Sequence, residues 1–372
     1  MNQMTSRCGY EVTDIRKSLR AAVERREARA AQRWTAELIA TDAAIGSLWA
    51  AYWLSWAAAQ GAGDPNPVLP ILLHQSWQQI LNAAERHVNY AATPTEGWVA
   101  FRNDPAVRRI GHETTLRLLF QARQTPVIWP SKELILFDVS CMRDSPVPTA
   151  ADSAPVLQVW QRDAEAMELR LMAGRWLAAL QSGELRAALS AVAWTLLPTA
   201  AQSLPQPLRV AERGPAELPA KARTSTIWFW LELGKAVLLS PKIQNLHRGW
   251  ITLHNAVATA FATHWKRWTA ADRMRILLAW NLQIRAALQN VAVSWEAAPV
   301  SVTQSEMDLP YREIATEMAW TPMQGIVPEG ADAATGAAKK KDAKKEQQAR
   351  IESKLAETDA AVLAAMGLTE DS

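Results

Sequence analysis

"GYEVTDIRKSLRAAVERREARAAQRWTAELIAT", residues Gly9 to Thr41, decides the fold. Ile15, Leu19, Val23, Ala30, Trp34 and Leu38 fall close to one face of a helix, while Arg16, Arg20, Arg26, Arg29 and Arg33 mostly fall on the others. The pattern predicts an amphipathic helix that starts at Asp14, runs to about Ala40 and breaks near Glu24. The arginines then either face water beside acids one turn away, such as Glu24 for Arg20 and Glu37 for Arg33, or touch a polyanion.

Downstream, the same period continues. Thr41 or Asp42 caps a second helix, which "GAGDPNP" (Gly61 to Pro67) ends as a turn, and a third helix covers about Val68 to Tyr90. "ATPTEG" (Ala92 to Gly97) reads as a loop. Helices follow at about Asp104 to Gln124 and Ser131 to Val139. No run of β-branched residues alternates in a sustained way, so the expected fold is all-α. Trp49, Trp53 and Trp56 repeat at steps of four and three within a stretch that has no Lys or Arg, which marks a core face and not a base-stacking platform.

Composition supports a folded chain and excludes several classes. At 372 residues, 49% apolar and 21% charged, most of the chain has enough hydrophobic material to build a core. Forty basic residues against 37 acidic ones leave a net charge of +3, so polyanion binding has to come from local patches. The two cysteines, Cys8 and Cys141, form no CxxC motif and suit a reducing compartment. Met1 to Thr13 has no signal-peptide core, and the most apolar runs, Ile45 to Ala59 and Ile227 to Leu239, are shorter than the ~20 residues of a membrane span. The expectation is a cytoplasmic protein that does not enter a membrane.

Proline-rich "CMRDSPVPTAADSAP" (Cys141 to Pro155) divides the chain into two helical domains, 1–140 and 156–295, with 141–155 as linker. Pro198 to Ser225 is a long loop within the second. Residues 296–372 form a low-complexity linker and a Lys-rich tail, in which Lys344 to Met366 could make an amphipathic helix. Leu19 to Thr41 and Leu177 to Thr199 are similar, and each is followed by a tryptophan-rich helix, a hint of internal duplication.

Tyr10 to Arg20, "YEVTDIRKSLR", followed by "AAQRWTAELI" (Ala30 to Ile39) and "LWAAYWLSWAAAQGAGDP" (Leu48 to Pro65), resembles the C-terminal helical region of the replication-associated recombination AAA+ ATPases, relatives of clamp loaders. "LRLLFQARQTPVIWPSKELILF" (Leu116 to Phe137) is a looser match, so the resemblance covers residues 9–140. Ala58 and Ala59 stand where that family has an acidic pair. The resemblance implies a collar-like domain that holds subunits together. The motor half is missing, since no G-x-x-x-x-G-K-[ST] loop occurs to cradle phosphates, and no nucleotide is expected.

Other chemistry is sparse. His247, His254 and His264 are spaced too widely for a helical metal site, and no nucleophile–base set can be assembled, so neither metal, cofactor nor catalysis is expected. "ELILF" (Glu133 to Phe137) resembles a clamp-binding peptide but falls inside a predicted helix. The candidate contact residues are basic: Arg16, Lys17, Arg20, Arg25, Arg26, Arg29 and Arg33; Lys266 and Arg267, which interleave with Trp265 and Trp268; and Lys339, Lys340 and Lys341. The expected function is a non-catalytic scaffold in DNA replication, recombination or repair that self-associates or binds a clamp-loader-type partner. The alternatives are a salt-sensitive, sequence-independent nucleic-acid-binding protein and a helical adaptor unrelated to replication.

Overall fold

Arg26 breaks the arginine-rich stretch in two. Its φ of 60° lies in the left-handed region, and its backbone N–H donates to the carbonyls of Ala22 and Val23 where α1 (Val12–Arg25) ends. α2 (Ala28–Ala40) then packs against α1. The break falls at Arg26, two residues past the expected place, and the N-cap is Glu11 and not Asp14. The predicted stripe is where the helices meet the core: Ile15, Leu19, Val23 and Leu38 are buried, with Ala30 and Trp34 packed at its edge.

The computed structural model describes residues 4–41, 44–60, 66–89, 91, 93–120, 130–143, 151, 153–240, 248–297 and 299–325. α3 is Ile45–Ala58 and α4 is Val68–Ala84, extended by a π-helical turn over Glu85–Asn89. α5 (Pro94–Asn103) replaces the loop expected at Ala92 to Gly97. Thr93 caps it by accepting from the Glu96 N–H, and Pro94 sits at the start, where a missing N–H costs nothing. α6 (Pro105–Phe120), α7 (Lys132–Arg143), α8 (Ala154–Val159), α9 (Met167–Ser182) and α10 (Leu185–Leu196) follow. Single turns α11 (Thr199–Gln202) and α12 (Ala220–Arg223) interrupt the proline-rich loop. α13 (Thr226–Leu238), α14 (Arg248–His264), α15 (Ala270–Leu288) and α16 (Gln304–Gly325) complete the chain. No strand occurs among the described residues, and the fold is all-α.

α3 is buried around nearly its whole circumference, from Ile45 to Ala57, and Trp49, Trp53 and Trp56 are almost completely excluded from water. Each such side chain contributes roughly 1.5–3 kcal/mol on burial. The Trp56 Nε1 is buried without a partner, but several other indoles find acceptors on neighbouring helices. Trp49 donates to the Leu73 carbonyl on α4 at 3.0 Å, and Trp268 donates to the Ala50 carbonyl on α3 at 3.1 Å. Trp176 on α9 donates to Asn281 on α15 at 2.6 Å, and Trp230 on α13 to Thr195 on α10 at 2.8 Å.

The Trp268–Ala50 bond crosses the expected domain division. α15 packs on α3, α14 on α4 and α10 on α7. The buried Asp138 accepts from Arg186 at 2.9 Å and from Ser190 at 2.7 Å, and Gln283 donates to Gln60 at 2.7 Å. Residues Met1–Ile314 form one compact unit with one continuous core, so 141–155 does not separate two cores. Two tryptophans reach across from one half of the chain into the other: Trp268 bonds to Ala50, and the Trp77 ring packs on His264. A second unit comprises Ala315–Ser372, of which the last turns of α16 are described. Residues 304–325, expected as low-complexity linker, are thus helical, whereas Lys344 to Met366 lies outside the described residues.

Two further expectations meet the structure. Both similar stretches take the same form, a helix, a left-handed residue (Arg26 or Gly183) and a second helix packed on the first. The long loop at 198–225 is pinned by a buried ion pair: Arg213, 4% exposed, donates to Glu165, 0% exposed, at 2.8 Å and to the Val159 carbonyl at 2.6 Å. Glu165 also accepts from the backbone N–H groups of Gln161 and Ala211, which satisfies a carboxylate that would otherwise be costly to bury.

α13 meets α15 at Gly234, where the Trp280 ring occupies the place a Cβ would take. Gly234→Ala should therefore destabilise the fold by about 1–3 kcal/mol through overpacking, although alanine has the higher helix propensity. A urea midpoint at or above the native one would contradict this packing.

Candidate anion-binding site

α1 presents Arg16 and Arg20 one turn apart on one face. Far along the chain, α14 ends at His264 and runs into a single 3-10 turn, Trp265–Arg267. Thr269 then starts α15 with a capping box, in which its hydroxyl accepts from the Asp272 N–H while the Asp272 carboxylate accepts from the Thr269 N–H, both at 3.1 Å. The short turn carries Arg267 back to α1, where Arg16 donates to the Arg267 carbonyl at 3.1 Å across 251 residues of sequence. The Arg267 guanidinium lies against the first turn of α3, and a Cβ placed on Gly46 would stand 2.6 Å from its central carbon. Two anchors fix the turn: the buried Trp268 bonds to Ala50, and Arg273 donates to the carbonyls of Trp265 at 3.0 Å and Trp268 at 2.8 Å.

The electrostatics of this junction are unbalanced. Arg20 faces one carboxylate, Glu24, at 4.0 Å, and neither Arg16 nor Arg267 has a carboxylate at ion-pair distance among the described residues. Burial, the largest cause, lowers the Arg16 pKa from its ordinary value. Asp272 works in the opposite direction, and Arg20 and Arg267 add to the lowering. Burial also lowers the pKa of Arg267. Arg16 and Arg20 are half-buried and Arg267 is exposed. The Nε atoms of Arg16 and Arg20 are buried and have no hydrogen-bond partner.

His264 lies close enough to feel both Arg267 and Arg16. It is fully buried, both its ring nitrogens lack partners, and its ring packs edge-on to Trp77 at 5.1 Å and against Trp268 at 5.5 Å. Burial, then Arg267 and Arg16, push its pKa down to about 3, so it is neutral at physiological pH. The nearness of Arg20 and Arg267 to Arg16 suits an anion, because guanidinium forks match phosphate and carboxylate oxygens.

The remaining predicted residues do not join this cluster. Lys17 pairs with Asp14 at 3.1 Å, and Arg29 pairs with Glu313 at 2.7 Å. Arg33 is mostly buried and pairs with Glu37 at 2.7 Å. Glu37 is fully buried; burial raises its pKa, but bonds from Ser6, Arg33 and Cys8 outweigh that and hold it below the usual carboxylate range. Arg25 and Arg26 are exposed at the end of α1, and Lys266 is exposed beside Arg267. Lys339, Lys340 and Lys341 lie outside the described residues, as does His247. The basic–aromatic interleaving expected at 265–268 is corrected. Trp268 is buried, and Trp265 stacks on Trp228 with Arg273 over its ring, so the described geometry offers no open platform for bases. Glu133 to Phe137 is helical, with Ile135 in the core and Phe137 61% exposed.

No protein-family model, no curated protein and no solved structure matches this chain. No helix among the described residues is long and apolar enough to cross a membrane, and no group of three metal-ligating side chains occurs among them. No motif along the chain marks Gly46 or Asp272, or the meeting of Arg16 with Arg267.

Three buried histidines tie stability to pH. Burial pushes the His264 pKa down to about 3, and those of His112 and His254 down to about 4, with nearby cations adding to each shift. The unfolded chain takes up protons at these sites below pH ~6.5, and the folded chain does so only near their depressed values. Stability should be greatest above pH ~6.5 and fall as the pH drops toward about 4, by up to ~1.4 kcal/mol per histidine per pH unit. Urea midpoints that stay flat between pH 7 and pH 5 would contradict this.

Proposed function

We propose that this chain is a non-catalytic helical scaffold that binds nucleic acid by neutralising phosphate at Arg16, Arg20 and Arg267. The observation that carries the reading is the junction itself: arginines from opposite ends of the described chain meet at one point without a full complement of acids. Folding such a cluster costs electrostatic energy, and a bound anion recovers it. The other basic residues of α1 and α2 support the choice of these three. Lys17, Arg29 and Arg33 already have acidic partners, so an incoming phosphate would have to displace a carboxylate from each.

Binding of this kind is independent of base sequence and sensitive to salt. The logarithm of affinity for a single-stranded oligonucleotide should fall linearly with the logarithm of salt concentration, and each charge lost should make the slope shallower by about 0.7. Arg16→Gln with Arg267→Gln should weaken binding for all base sequences alike. Arg25→Glu with Arg26→Glu, at the exposed end of α1, should matter less. An affinity unchanged in the first pair would remove the reading.

The setting in DNA replication, recombination or repair, and association with a clamp-loader-type partner or with a second copy, rest on the motif from Tyr10 to Pro65. Solution mass with and without replication proteins tests that setting. The expected result is a mass above that of one chain, and a strict monomer that captures none of them would end it.

A further inference from the structure

His112 on α6 is fully buried. Its Nδ1 donates to Gln32 Oε1 on α2, and Gln32 Nε2 donates to the His112 carbonyl at 3.3 Å. The ring Nε2 is then a bare acceptor, shielded from water and without a hydrogen-bond partner. α16 closes over this ring, with Tyr311 standing edge-on to it at 5.7 Å between ring centres. The Tyr311 hydroxyl is also shielded from water and has no partner. One donor and one acceptor thus go unmet in the same contact, and burying each of them opposes closure.

Residues 304–314 are the part of α16 within the compact unit that ends at Ile314. They are seated by side chains. Met307 and Ile314 are buried, and the Arg108 guanidinium lies over the Tyr311 ring at 3.9 Å. Arg108 is held in turn by the Arg102 carbonyl at 2.9 Å and by Asn103 at 2.7 Å. The Arg29–Glu313 pair at 2.7 Å is open to solvent on the arginine side and adds little. The chain that leads into the helix is exposed. Trp295 packs on Trp250 at 5.1 Å, and beyond it no described residue from 296 to 306 is buried. Pro310 sits inside the helix, where it removes an internal hydrogen bond, so this segment draws its order from its seat.

The groups around His112 set the response to protons. Arg108, on α6 itself, opposes its charging, and among the described residues no carboxylate reaches it. α2 brings Gln32 and, at the rim, Arg29 with its partner Glu313. α3 brings Tyr52, whose hydroxyl is committed to the Gly111 carbonyl at 3.0 Å and to Thr115 at 2.8 Å. α16 brings Tyr311, with Asp308 near enough to act on it. Burial, then Arg108, hold the His112 pKa down at about 4 while the helix is seated. Exposure returns it toward ~6.5. Closure is therefore strongest above pH ~6.5 and weakens as the pH falls toward about 4.

We propose that residues 304–314 form a pH-sensitive strap, which lies closed over α2 and α6 while His112 is neutral and lifts when His112 takes up a proton. Tyr311 is its latch, held by Arg108 through the ring and loosened by its unmet hydroxyl. Lifting frees Arg29 from Glu313 and uncovers Arg108 beside a charged His112, so the face it bares is basic.

Hydrogen exchange of the full-length protein, read by mass spectrometry at pH 7 and pH 5 and corrected for the intrinsic effect of pH, tests this. Opening of residues 304–314 should rise about twentyfold between the two values, while peptides from α3 and α15 change far less. His112→Gln, which cannot take up the proton, should flatten the response. Tyr311→Phe keeps the ring on Arg108 and removes the unmet hydroxyl, so it should slow exchange of the strap at pH 7 by at least about fivefold. Equal opening at both pH values overturns the proposal, and so does an increase shared equally by α3 and α15, which would be unfolding of the whole unit. A pH response that survives in His112→Gln removes His112 as the trigger. Faster exchange in Tyr311→Phe means that the hydroxyl is bonded in solution and overturns the loosened latch.

Discussion

The structure depends on the burial of α3. A helix carrying Trp49, Tyr52, Trp53 and Trp56 with almost no polar surface cannot lie on the outside of a protein, because one side would leave large indole area in water. It has to be covered all round. α1 and α2 supply part of the cover, α4 and α6 another part, and α15 with the turn before it the rest. Those buried indoles that find an acceptor add a directional constraint, although Trp56, Trp77 and Trp280 have none. Trp268 donates to the Ala50 carbonyl, which locks a turn near residue 267 onto a helix near residue 50.

The location of the arginine junction follows from that lock. With Trp268 held in α3, its neighbour Arg267 has little choice but to lie along the first turn of α3, over Gly46 and beside Arg16. Close packing of apolar surface thus brings like charges together, an arrangement that charge alone would oppose. The cluster differs from Lys17, Arg29 and Arg33, where an acid at helical spacing or on α16 lies within 3.1 Å. It differs also from the Arg213–Glu165 pair, where a buried guanidinium is fully matched and serves to hold a loop.

Much of the fold could be read from the chain. Helical periodicity is local, so the apolar stripe of Ile15, Leu19, Val23 and Leu38 and the tryptophan face of α3 were visible as core, and the helices expected between Asp14 and Val139 stood within a few residues of their places. Local signals failed in two ways. Thr93 and Pro94 form a helix start that resembles a turn, because the same residue types serve both. Proline-rich 141–155 resembled a domain boundary, because a break in the backbone pattern carries no information about whether side chains pack across it.

By itself, then, the sequence determined the all-α class, the identity of the buried faces and the set of arginines with the chemistry to bind an anion. Only the tertiary structure decided which of those arginines are already neutralised and which converge. Arg33 and Glu37 are one helical turn apart, so their pairing follows from spacing. Arg16 and Arg267 are separated by most of the protein, and what joins them is the need of distant tryptophans for cover and for hydrogen-bond acceptors. That need is met in three dimensions by whichever helices can reach, and no pattern along the chain records the outcome.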